Sequence, residues 1–116
     1  MNNKPKYHLF KNTKYAIDGL KHVLKTESSF QLELLSAIII LPAIYLVDIS
    51  ISSKLILVVS AILVLIVELL NSAIENVVDL VTRDIHPLAK SAKDIGATAV
   101  MFCIILHVLC WIIILF

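Results

Sequence analysis

Glu68-Leu-Leu-Asn71-Ser-Ala-Ile-Glu75-Asn-Val-Val-Asp79 places strongly polar residues inside a run that is otherwise apolar enough for a membrane interior. On a helix turning about 100° per residue, Glu68, Asn71, Glu75 and Asp79 fall within an arc of roughly 80°, while Leu69, Leu70, Ile74 and Val77 point elsewhere. One polar stripe therefore runs down one helix face. An ionisable side chain at membrane depth costs roughly 2.5 to 3.5 kcal/mol on insertion scales, so carboxylates grouped with an amide are expected to face the protein interior and to serve a function.

The rest of the chain fits a membrane setting. Its 116 residues are 59% hydrophobic, and at this length they make one domain, a single membrane domain over 1–116. The mean hydropathy of +0.95 excludes an ordinary soluble globular protein. With only two glycines and three prolines, and with apolar runs that do not alternate, the spans are helices rather than barrel strands. Cys103 and Cys110 both lie in the last apolar run, where they read as small buried residues and imply no disulfide framework. The lysine-rich N-terminus lacks the apolar core and cleavage site of a signal peptide and is expected to be retained.

The net charge of +1 conceals an asymmetry. Lys4, Lys6, Lys11, Lys14, Lys21 and Lys25 precede the first apolar run, and Arg83, Lys90 and Lys93 lie between the second and third, whereas the stretch from Asp48 to Lys54 holds a single lysine. The positive-inside rule then predicts three spans with the N-terminus and second loop in the cytoplasm and the first loop and C-terminus outside.

An amphipathic helix is predicted over residues 7–25, because Phe10, Thr13, Ile17, Leu20 and Leu24 share one face and Lys11, Lys14, Asp18, Lys21 and Lys25 another. It is expected to lie on the inner leaflet, or to cap the bundle. Thr26 with Ser29 offers capping chemistry for the next helix, and Glu27 and Glu33 lie near the cytoplasmic boundary. Membrane helices are expected over about 31–49, 55–81 and 88–115, the first permitting a kink at Pro42. The second is roughly 40 Å long against about 30 Å of hydrocarbon, so its cytoplasmic end projects and the stripe joins water to buried lipid groups.

Pro87 suits the first turn of the third span, and Lys90 with Lys93 or Asp94 would face the stripe. Ala89, Ala92, Gly96 and Ala99 form a small-residue face for close helix packing, and Trp111 with Phe116 anchors the outer interface. Cys103, His107 and Cys110 share a face, but the two sulfurs lie about 10 Å apart along one helix, so a packed histidine is expected rather than a metal site.

No phosphate-binding glycine loop is present. The polar inventory instead holds hard oxygen donors in Glu27, Glu75 and Asp79, phosphate partners in Lys90 and Lys93, and flat groups for a base in His86 and Tyr15. Glu68, deeper and in apolar surroundings, has the character of a general base for a hydroxyl proton, with Asn71 one turn away to bond it or orient the reacting groups. On the carboxylates alone, a non-catalytic ion relay or scaffold subunit is the competing reading.

The run from Glu68 to Asp79, followed by Ala92-Lys93-Asp94, resembles the prokaryotic diacylglycerol kinase family, whose signature is an acid-x-x-Asn-Ser-Ala-x-Glu-x-x-x-Asp segment within a membrane helix. The resemblance extends to Tyr15 through Gly19-Leu20, Thr26-Glu27 through Phe30, and His86 through Asp94. It implies an all-α homotrimer of three-span subunits with N-terminal surface helices, active sites shared between neighbours, and transfer of the γ-phosphate of ATP to a lipid hydroxyl with Mg2+. By the same resemblance Glu68 is the base, Asn71 and Asp79 support it, and Glu27 and Glu75 hold the metal. ATP would be bound by Tyr15, Glu27, Glu75, Asp84, Ile85, His86, Lys93 and Asp94, with His8 standing where many members carry arginine. The lipid would meet Ser29, Phe30, Glu33, Glu68, Ala97 and Trp111. Glu33, Asn71-Ser72 and Ile95-Gly96 resemble the diacylglycerol-using branch, while His86-Pro87 resembles members that phosphorylate undecaprenol.

Overall fold

The structure, a computed structural model, describes residues 8–116; Tyr7, where the first helix is expected to begin, lies outside the described residues. Helix α1 spans Leu9–Thr26, α2 Ser28–Leu46, α3 Ile51–Val81 and α4 Pro87–Leu115. The last three are long and apolar enough to cross a membrane.

Helix α1 is exposed along nearly its whole length, with only Val23 and Leu24 half-covered near its end. It breaks at Glu27, whose backbone is extended. Thr26 does not cap the next helix as its sequence position predicts, because its hydroxyl turns back to donate to His22 O at 2.9 Å. Gln31 ties the two helices instead, its Nε2 donating to Leu24 O at 2.6 Å and filling a carbonyl that the end of α1 leaves free.

Restarting at Ser28 places α2 three residues ahead of the expected 31–49 and gives it 19 residues, about 28 Å of helix. Pro42 sits inside the helix without ending it. The turn that follows is held at both sides. Ser50 Oγ accepts from Ser53 N at 3.1 Å, which starts α3 at Ile51 rather than near 55, and Lys54 Nζ donates to Tyr45 O at 2.6 Å at the negative end of the α2 dipole.

Helix α3 is the axis on which α2 and α4 pack. Its 31 residues reach about 46 Å, well beyond the hydrocarbon thickness of about 30 Å. The buried residues Leu57, Ser60, Ala61, Val64, Glu68, Asn71 and Ser72 recur at three- and four-residue intervals, so one face meets both neighbours. That face is mainly apolar at its start and polar at its end. Phe30, Ala37 and Ile44, each seven residues apart, meet it from α2, and Gly96, Val100 and His107 are the buried positions of α4. Gly96 is required by the packing, since a Cβ there would overlap Asn71 Oδ1.

Far from the stripe, His107 is not simply packed among apolar groups. Its Nδ1 lies 2.7 Å from Ser60 Oγ, and its Nε2 accepts from Trp111 Nε1 at 3.0 Å. Because indole only donates, Nε2 must be the acceptor and Nδ1 carries the proton. Ser60 Oγ accepts a hydrogen bond from that N–H and donates its own to Leu57 O at 3.0 Å, closing a chain without a loose end.

Candidate active site

The stripe lies where α3 passes from covered to open. Glu68 is 5% exposed and Asn71 7% exposed, whereas Glu75 and Asp79, one and two turns further on, are half-buried. The α3 helix thus carries a graded row of acids from interior to surface. The carboxyl of Glu33, projected from α2, meets that of Glu68, and Glu27 and Glu75 both lie within electrostatic reach of Glu68. Three of the acids chosen from sequence therefore gather about Glu68.

Asn71 differs from its expected role beside Glu68. Its Nδ2 faces Glu75 Oε1 at 3.4 Å, a long contact, while its Oδ1 is buried against Gly96 without a donor. Glu33 Oε2 and Ser72 Oγ are also buried without partners. Such atoms are expensive in a membrane interior, where water is not at hand to satisfy them.

A second group forms around the α3–α4 connection. Asp79, Asp84, Ile85, His86, Lys93 and Asp94, all singled out by sequence, line one polar cavity of about 340 Å³. Arg83 and Lys90 bring further positive charge to it. Lys93 Nζ contacts Asp79 Oδ1 at 2.6 Å, which fixes a cation directly beside the end of the stripe, and Lys90 pairs with Asp94 at 2.6 Å on the open surface. His86 accepts from Leu88 N at 3.1 Å and so starts α4, leaving its second ring nitrogen uncommitted. Thr82 Oγ1 accepts from Asp84 N at 3.1 Å and shapes the connecting loop.

The other residues lie apart. His8 and Tyr15 are exposed on or beside α1 and do not line the cavity. Ser29 and Ala97 are exposed, and Phe30 is 2% exposed, enclosed in the core. Trp111 is bonded to His107, about 20 Å of helix from Ala97. Sequence reasoning passed over Ser72, Thr82 and Arg83 as site residues; Arg83 beside Asp84 was visible as a cation in the polar loop, whereas nothing local marked Ser72 as buried and unpaired.

Glu27 and Glu75 each lie within electrostatic reach of Glu68 and carry the hard carboxylate oxygens that magnesium favours, and among the described residues no group of three or more His, Cys, Asp or Glu side chains is arranged to hold an ion. A site of two carboxylates completed by phosphate oxygens and water is the usual habit of Mg2+ bound with a nucleotide.

Residues 14–115 match the family described as prokaryotic diacylglycerol kinase. The chain belongs to that family. It is similar to the diacylglycerol kinase of Haemophilus influenzae, 36% identical over 104 residues, covering 90% of this chain and 88% of the relative. The diacylglycerol kinase of Escherichia coli strain K12 is 36% identical over 107 residues, covering 92% and 88%. The undecaprenol kinase of Bacillus subtilis is 41% identical over 91 residues, covering 78% and 74%. Family membership identifies a lipid kinase using a nucleotide and accounts for the spanning helices as those of a bacterial membrane protein.

Proposed function

We propose that this lipid kinase transfers the γ-phosphate of ATP to the hydroxyl of diacylglycerol, giving phosphatidic acid. The observation that carries the reading is the continuity of the buried Glu68 with the polar cavity through Glu75, Asp79 and Lys93. A lipid hydroxyl reaching Glu68 from the apolar side and a phosphate chain entering from the polar side would meet along α3.

In the reaction, the lipid oxygen bonds to the γ-phosphorus as the bond from that phosphorus to the oxygen bridging to ADP breaks. Glu68 accepts the hydroxyl proton. Lys93, oriented by Asp79, presents its ammonium to the phosphates, with the Asp84–His86 segment, Asp94, Tyr15 and His8 as further nucleotide contacts. Asn71, whose Nδ2 faces Glu75 Oε1, would help orient the reacting groups. Glu27 and Glu75 would hold Mg2+, which when bound neutralises charge on the β- and γ-phosphate oxygens. Glu33 faces the lipid from α2, with Ser29, Phe30, Ala97 and Trp111 as the remaining lipid-side assignments.

Three copies would form the working assembly, with α1 on the inner leaflet and the N-terminus in the cytoplasm. The lysine asymmetry supports that orientation. The large exposed apolar side chains of α2, α3 and α4 supply surface for lipid and for neighbouring subunits. Undecaprenol is the second candidate substrate, favoured by His86-Pro87 and by the Bacillus relative.

The test is label transfer from γ-labelled ATP with magnesium in mixed micelles, offering diacylglycerol and undecaprenol separately and together. Preferential labelling of diacylglycerol is expected. Preferential labelling of undecaprenol would replace the substrate assignment, and no labelling of either would overturn the reading.

A further inference from the structure

Between α2 and α4, over the stretch of α3 that leads to Glu68, runs an apolar groove of about 250 Å³. Ala61 and Val64 floor it, continuing in line with Glu68 at intervals of three and four residues. Glu33, Ser36, Ala37 and Ile40 form the α2 wall, and Ile104, His107 and Val108 the α4 wall. From the level of Glu68 to that of Ala61 the distance is about 10 Å.

The two ends of the groove differ in chemistry. At one, Glu33 buries a carboxyl oxygen with no partner where its side chain meets Glu68. At the other, both nitrogens of His107 are already committed, to Ser60 at 2.7 Å and to Trp111 at 3.0 Å. The ring therefore has only its carbon surface left to offer the groove. Ser36 adds no free donor, since its hydroxyl donates to Leu32 O at 2.8 Å. A molecule with a hydroxyl at one end and a hydrocarbon chain at the other matches this distribution: one acceptor at the mouth and apolar walls beyond it.

We propose that the groove takes a hydrocarbon chain of the lipid substrate, and that His107, braced by Ser60 and Trp111, closes its far end and sets the chain length accepted. This rests on the lipid kinase reading for its orientation, with the hydroxyl at Glu68 and the chain directed toward His107. Within it, His107 is a specificity-determining residue. Ser60 and Trp111 are positioning residues, acting through the ring. The bonds on both nitrogens prevent the ring from swinging aside for a longer chain, which a freely rotating side chain would do.

Two measurements on the full chain in mixed micelles test this. The first is kcat/KM for a series of diacylglycerols of increasing saturated chain length, with the parent, His107→Ala and His107→Phe. Removing the ring in His107→Ala is expected to raise the ratio for the first chain too long for the parent, relative to the longest one accepted, by about tenfold, the effect of a methylene in an apolar pocket. His107→Phe keeps the wall and is expected to retain the parent's chain-length limit. An identical limit in parent and His107→Ala overturns the proposal.

The second measurement needs neither turnover nor a tolerated substitution: photolabelling of the parent, without ATP, by a diacylglycerol carrying a diazirine at the end of one chain. Labelling of Ile104 and Val108 is expected, and labelling confined to residues outside the groove overturns the proposal. Labelling at Ile104 and Val108 by a protein that phosphorylates no lipid would sustain the groove assignment while removing the kinase reading. Phosphorylation with labelling elsewhere would do the reverse.

Discussion

At the Trp111 end of the bundle, each side-chain polar atom of Ser60, His107 and Trp111 has a partner, whereas at the stripe end Glu33, Asn71 and Ser72 each bury one that has none. Both groups lie between apolar helices, so the contrast is not one of exposure. A satisfied chain of hydrogen bonds stabilises the contact it bridges. Unsatisfied acceptors and hydroxyls cost stability, and a fold keeps them where a substrate will supply the missing partner. The Trp111 end thus has the character of a brace, and the unpaired groups at the stripe end fit the reacting site proposed there.

Substitutions can break this contrast. Glu68→Gln has the largest expected effect, a loss of about 10²- to 10⁴-fold in kcat as the general base is removed, with helical content and assembly retained. Turnover near that of the parent would remove Glu68 from the chemistry. Gly96→Ala comes next. Its Cβ would overlap Asn71 Oδ1, so the amide must turn away from Glu75 or α4 must shift, at about 1–3 kcal/mol for overpacking. Reduced unfolding stability together with reduced turnover is expected; an unchanged midpoint would show that the interface is looser than the structure has it.

The smallest effect is that of Ser60→Ala, which leaves the Nδ1 proton of His107 without its acceptor. Interhelical hydrogen bonds in membranes contribute about 0.6 to 2 kcal/mol, and a loss in that range is expected in detergent unfolding. Phosphoryl transfer should fall far less than in Glu68→Gln. A variant as stable as the parent would mean that the Ser60–His107 contact bridges the helices without stabilising them.

How much of this was legible in the sequence follows the same division. Three apolar helices and the acids of α3 are written in local periodicity, and the cavity residues Asp84 to Asp94 cluster because they are near neighbours along the chain. The boundaries shifted where single side chains decide them. Ser50 starts α3 early by capping Ser53, and Thr26 serves the end of α1 instead of the start of α2. Of the contacts across helices, the approach of Lys93 to the stripe was legible from the charges and small residues at the start of α4, but the others were not. Ser60 and His107 are 47 positions apart, and no helical pattern on α3 distinguishes Ser60 as the partner of a residue on α4. The meeting of Glu33 with Glu68 was hidden for the same reason, since spacing on one helix says nothing of its rotation against another.

Ser72→Ala tests the central claim most directly, because it removes a buried hydroxyl that has no partner while leaving every acid of the stripe in place. Unfolding midpoint and label transfer to diacylglycerol would be read on the same preparation. An unchanged or raised midpoint with reduced transfer is predicted, since deleting an unsatisfied polar atom relieves a cost to folding and, if the stripe end is the site, removes a partner for a bound reactant. A lowered midpoint with transfer unchanged would contradict it, placing Ser72 among the braces of the fold rather than in the site.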